Sequence, residues 1–170
     1  MKTIIMKLFC RHNTPRTNPS IQLQRTWVNT GMEIIIGTLL LGLWASIVAK
    51  VVKSGGHPIP THYNYAGIAD VHGSPYWLLL VGAVCTALSI YYMYSVYRPS
   101  DMIDSGTKIT NIRQAKVAVC WAYIMDLGII MLSYAIVYSG MEMLSPLFAI
   151  ALGMMCVASL AATIATRLLA

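Results

Sequence analysis

Three histidines and one aspartate fall within a short polar stretch, HPIPTHYNYAGIADVHG (residues 57–73), between two apolar runs. His62, Asp70 and His72, with His57 nearby, are side chains that bind Zn2+ or another divalent metal. Their spacing lacks any HExxH-like pattern that would set two ligands on one helical face. The simplest expectation is a His62–Asp70 pair that hydrogen-bonds internally and to loop amides, fixing the shape of the loop. Contact with a ligand through these residues is a second reading, and a metal site a third. His57, directly before Pro58, carries no specific role in any of them. The other residue able to do chemistry is Asp126, in the middle of an apolar run. A carboxyl group at that depth is costly, so it faces protein or a water-filled cavity. It serves there either as an interhelical hydrogen-bond staple or as a proton or ion site. Helical spacing puts it on one face with Ala122 and Ser133.

Composition sets the kind of scaffold on which these residues sit. The 170 residues are 57% hydrophobic and 11% charged, against about a quarter charged in soluble domains. That leaves too little polar surface to coat a water-soluble globule. Four apolar runs, residues 32–53, 76–97, 115–138 and 146–169, each approach the ~20 residues that cross a bilayer as a helix. Backbone amides in lipid must be satisfied within their own segment, which selects helices. Barrel strands would be shorter and would alternate in polarity. The expected fold is all-α, a polytopic membrane protein with four transmembrane helices. Residues 1–31 form a basic cytoplasmic tail, and residues 32–169 the membrane domain, with the polar loop at 54–75. The opening MKTIIMKLFC has an apolar run broken by Lys7, too short for a secretory leader.

Lysine and arginine sort by side. Lys2, Lys7, Arg11, Arg16, Arg25, Arg98, Lys108, Arg113, Lys116 and Arg167 make ten on one side, against Lys50 and Lys53 on the other. The positive-inside rule then places both termini in the cytoplasm and the 54–75 loop outside. Tyr91, Tyr92, Tyr94 and Tyr97 form an inner aromatic belt; Tyr63, Tyr65, Tyr76 and Trp77 an outer one. Since the basic residues lie outside or at the ends of the apolar runs, the net charge of +6 implies a lipid surface and no nucleic acid. Cys10, Cys85, Cys120 and Cys156 form no CxxC pair and read as small apolar residues.

Pro58 and Pro60 force an extended approach to the loop. Asn64 and Asp70 can bond nearby backbone, and Gly67 and Gly73 can take positive φ, so the loop should be compact and ordered. The stretch IPTHYNYAGIADVHGS resembles the signature of a bacterial membrane domain found in SdpI-like toxin-immunity and signalling proteins. The matching positions are Pro60, His62, Tyr63, Asn64, Gly67, Asp70, Gly73 and Ser74. The family continues with Lys where this chain has Pro75. The close match covers this stretch, and the span–loop–span frame extends it over residues 32–97. The resemblance implies an inner-membrane protein for immunity against a membrane-active peptide toxin or for envelope-stress sensing with a regulatory partner. It implies no reaction.

No phosphate loop, GxSxG, CxxC or nucleotide fingerprint is present, so neither an enzyme nor a cofactor is expected. Two other functions compete. One is a small dimeric transporter or channel using Asp126, and the other a metal-dependent membrane enzyme using His62, Asp70 and His72. Thr38, Gly42 and Ser46 in the first span recur every four residues, as do Ala149 with Gly153 and Ala161 with Ala165 in the fourth. Such stripes let helices approach closely, within the chain or in a homodimer. Met141, Met143, Met154 and Met155 read as packing filler, and Glu33 and Lys50 as residues that snorkel to the interface. Single cysteines at Ser54 and Ser105 in a cysteine-free background test the topology. The Ser54 position should react with an impermeant thiol reagent from outside, and the Ser105 position only from inside. The reverse pattern would invert the map.

Overall fold

The computed structural model of the chain describes residues 23–64, 68–99, 109, 111–139 and 146–169. Within them lie helix α1 (Trp27–Ser54), a hairpin of strands β1 (Ile59–Tyr63) and β2 (Ala69–Gly73), and helices α2 (Trp77–Tyr97), α3 (Ile112–Ser139) and α4 (Pro146–Leu168). All four helices are long and apolar enough to cross a membrane. The all-α, four-span architecture is therefore present, with a two-stranded hairpin added between the first two spans.

Helix boundaries are set by caps as much as by hydropathy. α1 starts at Trp27 because Thr26 is an extended N-cap whose hydroxyl accepts the Asn29 amide at 3.3 Å. It ends at Gly55, whose left-handed φ of 57° turns its amide back to the Val52 carbonyl. The resulting 28 residues span about 42 Å, beyond the apolar thickness of about 30 Å. α3 likewise starts at Ile112, ahead of its apolar run. Asn111 Oδ1 accepts the Gln114 amide at 2.9 Å while Gln114 Oε1 accepts the Asn111 amide at 3.3 Å. This reciprocal pair is a capping box.

α3 is the hub of the bundle. α1, α2 and α4 all pack on it, and α4 has no comparable contact with another helix. Close approach is bought by glycine at three positions, one of them Gly82 of α2, where a Cβ would stand 2.9 Å from Ile47 Cδ1 of α1. A Cβ on Gly42 of α1 would stand 2.5 Å from the Tyr134 hydroxyl, which donates to the Leu39 carbonyl at 2.9 Å. A Cβ on Gly128 of α3 would stand 2.5 Å from Met155 Cγ of α4. At the far end of the α3–α4 pair, Gln114 Nε2 and Asn111 Nδ2 donate to the last carbonyls of α4, Thr166 and Leu169. Those groups would otherwise be orphaned at the helix end.

Two packing expectations change. The α1 stripe serves contact within the chain, since Ser46 also meets Tyr138 at 3.2 Å. The α4 stripe does not: Ala149 and Gly153 are exposed, and among the described residues nothing lies within 4 Å of a Cβ placed on Gly153. α4 turns Ala151, Met155 and Ser159 toward α3 instead, with Trp121 Nε1 donating to Ser159 at 3.1 Å. Nor do the terminal charges of α1 simply snorkel. Lys50 donates to the Val137 carbonyl of α3, and Glu33 binds both Arg25 and the Tyr97 hydroxyl of α2. Met154 is exposed, and Met141 and Met143 lie outside the described residues.

Gly128→Leu should therefore wedge α4 from α3 and destabilise the protein by about 1–3 kcal/mol, the usual cost of overpacking. Gly153→Leu, into open space, should be near neutral. Denaturant titration in mixed micelles measures both; equal effects would contradict the assigned α3–α4 face.

Candidate functional site

The hairpin begins where α1 stops. After Gly55, Gly56 also takes positive φ (82°), and the His57 amide returns to the Ser54 carbonyl at 2.9 Å. These two glycines, not Gly73, supply the left-handed turns. Gly73 lies in β2 without positive φ, against Thr61, and Gly67 is outside the described residues. The strands pair antiparallel as Ile59 with Gly73, Pro60 with His72, His62 with Val71 and Tyr63 with Ala69. Pro60 suits the edge of a two-stranded ladder because it donates no amide hydrogen bond. Asn64 closes the far end, its amide reaching the Ile68 carbonyl and its side chain accepting the Ile68 amide at 3.0 Å.

The register shifts on either side of His62, leaving Thr61 and Asp70 outside the Cα pairing. Bulges of this kind re-aim side chains. Here the result brings His62 Nδ1 to 2.6 Å from Asp70 Oδ1, with both side chains about half exposed. The hydrogen bond from His62 holds the Asp70 carboxyl below the usual carboxylate range, helped by the charge of His62 and by the amides of Asp70 and Val71. The two remaining histidines stay apart from this pair. His57 is exposed at the foot of the hairpin and His72 sits opposite Pro60. Among the described residues no three His, Cys, Asp or Glu side chains converge as a metal-holding group. The His62, Asp70, His72 triad is thus not assembled. Ile68 and Val71 are exposed beside the polar pair, giving the hairpin an amphipathic surface. The backbone of Tyr63 lies in β1. Pro75 is fully buried at the junction with α2.

The second cluster lies at the α2–α3 seam. Asp126 is fully buried, and Ala122 and Ser133 are buried on the same side of α3. Ser89 of α2 donates to Asp126 Oδ1 at 2.5 Å, while Asp126 Oδ2 has no hydrogen-bond partner among the described residues. Cys85, one turn before Ser89, is buried and interacts with Ser133, Ser89 and Asp126. Helical spacing alone gives the face of Asp126 but not its partner Ser89. The available signal was a pair of small hydroxyl residues, Thr86 and Ser89, in the middle of the second apolar run.

The lowered Asp70 value has a defined consequence for the hairpin. The folded carboxyl binds its proton less readily than the unfolded one, so its contribution is complete above about pH 4, the ordinary aspartate value. That contribution is lost as pH falls through the lower folded value. Carboxyl-carbon NMR of selectively labelled aspartate should show Asp70 titrating below an ordinary aspartate in the wild type. In His62→Ala the midpoint should return upward, and an unchanged midpoint would show that the pair does not act on the carboxyl.

No protein-family model, curated protein or solved structure matches the chain. What this multi-pass membrane protein does therefore rests on the geometry of the hairpin and of the Asp126 cluster.

Proposed function

We propose that the protein is a recognition protein of the SdpI-like kind, lodged in a bacterial inner membrane. Its 57–75 segment binds a membrane-active peptide at the outer face. The observation that carries this reading is the hairpin surface. An exposed His62–Asp70 pair stands beside exposed Ile68 and Val71, on an element whose main contacts are between its own two strands. Such a surface offers charge, hydrogen bonding and apolar area at the level where an amphipathic peptide meets the headgroups. The excess of Lys and Arg at the opposite ends of the spans supports an outward-facing hairpin. Binding there would intercept the peptide before it reaches the bilayer core, which is the logic of immunity. The metal-enzyme reading loses its support because His72 does not join the pair.

A strain expressing the protein should survive a panel of membrane-active peptides better than one without it, for at least one peptide. His62→Ala and Val71→Asp, at matched membrane levels, should each weaken binding of that peptide roughly tenfold, about 1.4 kcal/mol. Gly153→Ala, on the lipid-facing side of α4, should leave protection intact. Full protection by both hairpin variants would remove the hairpin from the function.

A further inference from the structure

We propose that Asp126 is an intramembrane proton-binding site, with Oδ2 as the oxygen that takes and releases the proton. This goes beyond peptide recognition and does not depend on it. Asp126 has no exposed surface, and its two oxygens are unequally served. Oδ1 receives the Ser89 hydroxyl hydrogen at 2.5 Å, whereas Oδ2 is buried with no hydrogen-bond partner among the described residues. Every polar atom enclosed in hydrocarbon needs a partner. A proton on Oδ2 removes the charge that would otherwise be left there with a single donor.

The surroundings favour a proton over a metal cation. A hard cation of the calcium or magnesium type takes about six or more oxygens. Here one carboxyl and one hydroxyl meet, beside a thiol. From α2 the groups facing Asp126 are Ser89 and Cys85. Among the described residues the charged side chains of α1 and α4, Glu33, Lys50, Lys53 and Arg167, lie toward the helix ends, away from the mid-span Asp126. Lys50, near the end of α1, is instead committed to the Val137 carbonyl. Cys85, Ser89 and Ser133 continue the polar line along the α2–α3 seam, all buried. When Oδ2 releases its proton to water, the charge left behind needs a second donor. The seam is then the place where protonation changes packing.

The test is an infrared titration of the full chain in lipid vesicles. The chain holds only six Asp and Glu side chains, so each carboxyl band can be assigned by substitution. The expected result is a C=O band of a neutral carboxylic acid at acid pH that disappears at alkaline pH. That band should be absent in Asp126→Asn at every pH. In Asp126→Glu, which keeps the carboxyl if the amide variant does not fold, it should reappear at a shifted frequency. Ser89→Ala should move its midpoint, and His62→Ala should leave it unchanged, which separates this site from the hairpin. If no pH-sensitive acid band follows Asp126 through these substitutions, the proposal is wrong.

Discussion

Hydrocarbon satisfies no backbone amide, so each span must close its own hydrogen bonds, and this constraint governs everything else in the structure. Once the helices have formed, their association cannot draw on the hydrophobic effect, because lipid tails are as apolar as leucine side chains. What remains is close packing and the few polar side chains left between helices. In this protein several of them gather on α3, while Glu33 with Tyr97 and Trp44 with Thr86 join α1 to α2. α3 accepts from Lys50 and donates through Tyr134 to α1, holds Ser89 of α2 through Asp126, and holds Ser159 of α4 through Trp121. Gly128 adds the space in which Met155 approaches.

The hairpin answers to a different solvent. It leaves α1 through two left-handed glycines and joins α2 through buried Pro75, so its two ends are held. Its interior is the strand ladder and the Asn64 closure, and its His62–Asp70 pair stands half in water. An exposed pair of this kind is a weak fastener, because water competes for both partners. Its position makes better sense as a presented surface than as a structural bolt. The buried Asp126 contact is the opposite case: water cannot compete there, and any polar group lacking a partner bears the full cost.

The parts of this arrangement that were legible in the sequence are those set by length and hydropathy. The four spans fall where apolar runs approach twenty residues, and Asp126 shares its buried face with Ala122 and Ser133 as helical spacing requires. The boundaries were less legible because caps override hydropathy. Thr26 and the Asn111–Gln114 box carry helices past the apolar runs, although the N-x-x-Q spacing was there to be read. The hairpin was hidden by Pro60 and by bulges that break the alternation of a regular strand. Those bulges join His62 to Asp70 and leave His72 opposite Pro60, a distinction that linear spacing does not encode. Nor does a four-residue stripe say which neighbour it faces: Gly42 meets α3, while Gly153 meets nothing among the described residues.

The four spans form a membrane frame organised on α3, and the hairpin folds on it as a separate unit. Amide hydrogen exchange of the protein in lipid vesicles tests this arrangement most directly, since local and global opening separate by free energy. The slowest amides should lie in α3 around residues 126–133, and the β1–β2 amides should open in a separate, less protected unit. Hairpin amides exchanging in one cooperative unit with α3, or α4 outlasting α3, would contradict it.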